Sequence, residues 1–317
     1  MLIYSRESTR ALEAATDELA RLDALCLFAP RAASIALRMR AIAALAHTGT
    51  KGTRALFRTF GHTEDGALPA TPPENYRWQT FLGEEERRAR SGAFPSVSRL
   101  ERSGVSIPRD AAARTENALR SSTPRQPTLL RALDVAAAVP DHSLGEAAAA
   151  LILCAEGRTD QIRLLPFDGV RGPARDEAKA RWISGEQEAW IALGLASLDT
   201  RARHCRLAVG RLHDGLDAED ASLGEMGRAA ITAREALAVL RNDASTSMPL
   251  LALSLGVSRP AAADALELLR SIGVVTEVTG RRRDRVYAWT AALAVADALA
   301  SPDAVTAADS TDSSRLA

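Results

Sequence analysis

Aromatic residues are scarce, at 4% of the 317 residues. A β-sandwich or barrel normally draws on aromatic and β-branched side chains, so this shortage argues against an all-β fold. Cysteine is nearly absent too. Cys26, Cys154 and Cys205 are odd in number, far apart, and never paired as C-x-x-C. That excludes a disulfide framework and a recognisable zinc site. Small buried hydrophobes in a reducing compartment are the expectation for all three. No apolar run reaches membrane length; the longest, EAAAALILCAE (Glu146–Glu156), is too short to span a bilayer. The opening MLIYSRESTR lacks the apolar core of a secretory signal. A cytoplasmic protein without membrane contact is therefore expected. An excess charge of either sign is also missing, since Lys+Arg and Asp+Glu both number 40. No global field draws the chain to nucleic acid, and any such contact must come from a local patch.

What the chain does have is alanine, leucine and arginine at helical spacing. The expected class is mainly α. Residues 7–57 read as helix, with a junction near Ala29-Pro30. Residues 60–110 are richer in Gly, Pro and Ser and read as a linker or flap around one charged helix, GEEERRARSG. TLLRALDVAAAV and LGEAAAALILCAEG predict two helices joined at PDHS, with Asp141 or Ser143 as cap and Glu146 in the first turn. LLPFDGVRGPAR (Leu164–Arg175) reads as a loop. Helix resumes at Asp176 and runs to about Leu240, with a break near Ser184-Gly185. Asn242–Met248 reads as a polar joint. These signals divide the chain into a helical domain over 1–241, a compact module over 248–300, and a disordered tail over 301–317.

The module carries the clearest motif. PLLALSLG predicts a short helix, and Gly256 a tight turn. Ser258 is placed to cap a second helix, RPAAADALELLRSIG, with Pro260 in its first turn. Ala262, Leu266 and Leu269 repeat at helical spacing, as do Ala265 and Leu268, and Gly273 ends the run. Two β-rich runs follow, Val274–Val278 and Arg285–Trp289, around the arginines of GRRRDR. Helix, turn, helix and hairpin in that order predict a winged helix-turn-helix. Double-stranded DNA is the partner this implies. Arg281, Arg282, Arg283 and Arg285 are expected on phosphate, and Ser258 and Arg259 at base edges. Asp264 and Glu267 on the same helix suit phosphate poorly.

LLRSIGVVTEVTGRRRDRVYAW resembles the C-terminal winged helix of many bacterial Fic (Fic/Doc) proteins. SGEQEAWIALGLASLDTRARHCRLAVGRL resembles the helix that precedes it there, and ELARLDALCLFAPRAASIALRMRAIAALAHTGT the family's N-terminal helices. The resemblance implies a Fic-like helical domain and a fold whose relatives transfer AMP from ATP to a hydroxyl. The family loop is H-x-F-x-(D/E)-G-N-G-R-x-x-R. Its His acts as base, its acid holds the metal, and its Gly-rich turn cradles phosphate. Here Leu165 stands at the His position and Phe167 matches. Asp168 and Gly169 come one residue early, and Val170 and Arg171 replace the Asn. Pro173 sits where a backbone N–H is needed, leaving Arg171 and Arg175 as the loop's cations. His142 and His204 lie elsewhere and read as surface or capping residues. The family's inhibitory helix is degraded as well, with Ala44 and Thr48 at its Ser/Thr and Glu positions and only Gly49 kept. The expectation is a non-catalytic, cofactor-free DNA-binding regulator on a degenerate Fic-like scaffold, whose helical domain supplies a homodimer interface or an effector pocket. A residual nucleotide-binding or AMP-transferring protein is the alternative, held by Asp168, Arg171 and Arg175.

Overall fold

The computed structural model describes residues 5–36, 39, 54, 57, 84–85, 87–103, 106–120, 126–159 and 173–300. The described chain is mainly helical. It forms two compact units, one of residues 1–28 and 72–206, the other of residues 29–71 and 207–317. This division differs from the one expected at the polar joint. The helix Glu188–Glu225 runs unbroken across residues 206 and 207. A continuous helix gives no compositional break at that point, so packing alone marks it.

In the first unit, α1 (Arg6–Phe28) buries Ala15, Leu19, Leu22 and Cys26 along one stripe. It stops before Ala29-Pro30, because the residue ahead of a proline is pushed out of helical backbone. Further on come α2 (Arg109–Arg120), α3 (Thr128–Ala138) and α4 (His142–Ala155). In α3 every residue but Asp134 is buried. A helix buried on nearly every side belongs in the middle of its unit, with its polar residues partnered, as Arg131 is by Glu156, and the neighbours of α3 fit that place. Trp190 Nε1 donates to the Leu133 carbonyl at 2.9 Å, Thr115 Oγ1 donates to the Ala138 carbonyl at 3.1 Å, and Trp182 Nε1 reaches Asp134 at 2.9 Å. The α4 helix packs closest of all. A Cβ on Gly145 would lie 2.7 Å from the Ala136 carbonyl oxygen, so the missing side chain lets the two backbones meet. Asp141 caps α4, its Oδ1 accepting from the Leu144 N–H at 2.8 Å, and Ser143 falls inside the helix. After α5 (Pro173–Ile183) and a turn at Ser184-Gly185, α6 (Glu188–Glu225) begins.

In the second unit, helical backbone over 30–36 contributes Ala32, Ala33, Ile35 and Ala36 to the core. The C-terminal half of α6 contributes Val209, Leu212 and Leu216. Then follow α7 (Ile231–Asp243), β1 (Ser245–Ser247), α8 (Met248–Leu255), α9 (Arg259–Ser271), β2 (Val275–Glu277), β3 (Val286–Trp289) and α10 (Thr290–Ala300). The sheet is antiparallel in the order β1-β3-β2. Ser245 pairs with Ala288 and Ser247 with Val286 on one side of β3; Val275 pairs with Trp289 and Glu277 with Tyr287 on the other. Being central, β3 is buried at all four residues, which is why VYAW reads as a continuous apolar run rather than an alternating one.

The polar joint expected at Asn242–Met248 is therefore partly a strand. Ser245, Thr246 and Ser247 are all buried, and Ser245 Oγ donates to the Phe57 carbonyl at 2.9 Å. The bend into β1 is made by Ala244 at φ 64°, a left-handed conformation that costs a non-glycine residue about 1 kcal/mol. Its carbonyl accepts from the Trp289 N–H at 2.9 Å, which holds it there.

Candidate functional site

The exposed basic surface lies at the end of the second unit. Gly256 closes α8 at φ 64°, the left-handed backbone that a tight turn between helices requires. Ser258 caps α9, its Oγ accepting from the Ala261 N–H at 3.4 Å. The start of α9 stands in solvent, with Ser258, Arg259 and Pro260 all exposed. Ala262, Ala265, Leu266 and Leu269 are buried behind it. Along the exposed face, Arg270 donates two hydrogen bonds to Glu267, at 2.5 and 2.9 Å. Those bonds hold the Glu267 carboxyl below the usual range.

The β2–β3 loop is braced from within. Glu277 accepts from the Thr279 N–H at 2.6 Å, from the Thr279 hydroxyl, and from the Gly280 N–H at 2.9 Å. Burial opposes ionisation of Glu277, but these bonds and nearby Arg285 together hold its carboxyl below the usual range. Gly280 adopts φ 65° and Asp284 φ 52°. Arg285 Nε donates to the Arg281 carbonyl at 3.0 Å, which draws the loop closed. Arg281, Arg282, Arg283 and Arg285 are all exposed. Other arginines are spent internally: Arg131 pairs with Glu156, Arg206 with Glu18, and Arg241 with Glu219 and Asp220. The loop thus presents four guanidinium groups to solvent on a backbone fixed by its own hydrogen bonds. The sequence-predicted residues Ser258, Arg259, Arg281, Arg282, Arg283 and Arg285 all fall on exposed positions of this one module.

At the end of β3 away from the loop, a largely buried cluster escaped sequence reasoning. Arg241 on α7 pairs with Glu219 at 2.9 Å and Asp220 at 2.7 Å, and donates to the Leu216 carbonyl at 3.1 Å. Its guanidinium lies 6.0 Å from the Trp289 ring centroid. Trp289 Nε1 donates to Glu219 at 2.8 Å. The cluster ties α6 and α7 to the central strand that leads out of the arginine loop.

The second sequence-derived site fares differently. Leu165, Phe167, Asp168, Gly169 and Arg171 lie outside the described residues, as do Ala44, Thr48, Gly49 and the tail from 301. Arg175 does not lie in a loop. Helix α5 already begins at Pro173, whose missing N–H is harmless in a first turn. Arg175 is buried and pairs with Glu146 at 2.7 Å. His204 is buried on α6, so the surface reading of that residue is overturned. All three cysteines are buried and none forms a disulfide. A separate open cleft of about 600 Å³ runs along α1, lined by Leu12, Leu19, Leu27, Pro127 and Leu129, with Glu13 and Asp17 at its edge.

Next to Arg175, Lys179 donates to the Val139 carbonyl at 2.5 Å and the Pro140 carbonyl at 3.2 Å, closing the C-terminus of α3. Burial and the neighbouring Arg175 lower its pKa from 10.5 to about 8. The unfolded chain therefore binds more protons across that window, and stability should rise with pH there by up to about 3 kcal/mol. Cys26 acts oppositely. Burial, Asp23 and Cys205 push its thiol from 9.0 up to about 12, so its stabilisation is lost as pH rises through that range. Comparing urea unfolding of wild type and Lys179→Met between pH 7.5 and 10 separates the two. The variant should lack the rise, and parallel curves would remove Lys179 as its source.

Among the described residues no helix is long and apolar enough to cross a membrane, and no group of three or more His, Cys, Asp or Glu is placed to hold a metal ion. No family model matches the chain, and no characterised protein sequence matches it significantly.

Proposed function

We propose that the chain is a DNA-binding regulator, with residues 245–300 acting as a winged helix-turn-helix on double-stranded DNA. The observation that carries this reading is the braced β2–β3 loop with four exposed arginines, beside a capped helix whose N-terminus is open. In this reading α9 enters the major groove and the loop follows a phosphate backbone. The arginines supply affinity and register, and α9 supplies choice of sequence. The helical remainder is proposed as a Fic-like scaffold without catalysis, because Leu165 at the base position cannot take a proton. Nothing further favours the nucleotide-binding alternative, since Arg175 is already paired. A homodimer and a cytoplasmic location belong to the same proposal.

Fluorescence anisotropy with a random-sequence duplex, across a salt series, tests it. The logarithm of the binding constant should fall linearly with the logarithm of salt, with a slope of about −3 to −4 if each loop arginine meets a phosphate. Absence of salt-dependent binding to any duplex would sink the reading. Arg259→Ala sharpens it. On sequences selected by the wild type, this variant should lose about 1–3 kcal/mol, the worth of one bidentate arginine–guanine contact. On random duplex it should bind almost as wild type does. Equal loss on both would reduce Arg259 to a backbone contact.

A further inference from the structure

The exposed face of α9 is not uniformly basic, and its acidic residues have a definite place. Besides Pro260, its exposed side chains are Arg259, Ala263, Asp264, Glu267, Arg270 and Ser271. At about 100° per residue, Arg259 and Arg270 fall along one edge of this stripe, and Asp264 and Ser271 along the other. Ala263 and Glu267 lie between them, one turn apart. On a helix seated in the major groove, the edges of the stripe face the two phosphate backbones and its middle faces the base pairs. A carboxylate at an edge would meet phosphate and be repelled. In the middle, the groups that suit a carboxylate are the exocyclic amino donors of the bases, above all N4 of cytosine. Glu267 is held for that role. Arg270 grips its carboxylate with two hydrogen bonds from the edge of the stripe, which fixes its direction and balances its charge. Further lone pairs on the carboxylate oxygens stay available to accept.

We infer that Glu267 is a specificity-determining residue of this surface, accepting from the amino group of a cytosine, with Arg270 as its positioning residue. The inference rests on the duplex-DNA reading above, and one experiment separates the two. Full-length wild type, Glu267→Gln and Glu267→Ala are each used to select from a duplex pool with a randomised centre, and each is titrated on an unselected duplex. The wild type should enrich cytosine at one position, by at least about fivefold over other bases. Glu267→Ala should lose that preference while keeping the others. Glu267→Gln should shift it toward adenine, the base that an amide pairs with best. Both variants should retain the wild-type thermal transition, because the side chain is exposed. Identical selected sequences, with both variants binding every duplex equally more tightly, would mean that Glu267 only repels the backbone. The inference would then fall while the DNA reading stands. Failure of the wild type to bind any duplex would overturn both.

Discussion

Replacing Arg281, Arg282 and Arg283 together by alanine should weaken binding to double-stranded DNA about a hundredfold near physiological salt. Three lost phosphate contacts would reduce the salt slope by about 2.7, and at 0.15 M salt that slope alone corresponds to about two decades in affinity. The fold should not change, since the three side chains are exposed and the loop is braced through Glu277, Thr279 and Gly280 rather than through them. Surface substitutions of this kind move stability by about 0.5 kcal/mol or less. Anisotropy titrations at four or more salt concentrations give the slope, and urea midpoints check the fold. An unchanged slope would show that the loop never touches a phosphate. A lost slope with an equally shifted urea midpoint would make the arginines structural.

The second large effect lies inside the same unit. Arg241→Met should destabilise the protein by about 3 kcal/mol, because it leaves the half-buried Glu219 carboxylate without its cation. Asp220 matters less, being 54% exposed in its side chain and able to turn to water. Trp289 would keep its hydrogen bond to Glu219, but over a charge no longer balanced. Adding Glu219→Gln to Arg241→Met should recover part of the loss, since the stranded charge is then gone. Equilibrium urea unfolding of wild type, both single variants and the double variant measures the coupling. A loss under about 1 kcal/mol for Arg241→Met, with additive single effects, would remove the cluster as a support of β3.

The loop arginines and the buried Arg241 differ in how far they could be read from sequence. A run of arginines after a glycine, between two β-rich runs, is a local pattern, and the structure places all of them in solvent. Arg241 sits in AVLRNDAS, with nothing nearby to mark it as buried. Its partners Glu219 and Asp220 are more than 20 residues upstream, and Trp289 is 48 residues downstream. No window of the sequence contains that cluster.

Local signals decided most of the helical chain. The cap at Ser258, the turn at Gly256, the end of α1 before Ala29-Pro30 and the cap at Asp141 each depend on a few neighbouring atoms. Those interactions act within one turn of chain, so residue type and spacing suffice to foresee them. What the tertiary structure alone decided is non-local. Ser245, Thr246 and Ser247 have the composition of a loop and became a strand because β3 offered them an open edge. Nothing around Gly145 in the sequence marks its use, which is the close approach of Ala136 from another helix. Arg175 looked like a free cation beside a glycine-rich loop until Glu146 was found against it. The division between the two units falls in the middle of a continuous helix, where residue order changes nothing and only the set of packed neighbours does. Helix periodicity and caps are properties of a segment, whereas pairing, close approach and charge balance belong to two segments at once, and only the folded chain brings the second one in.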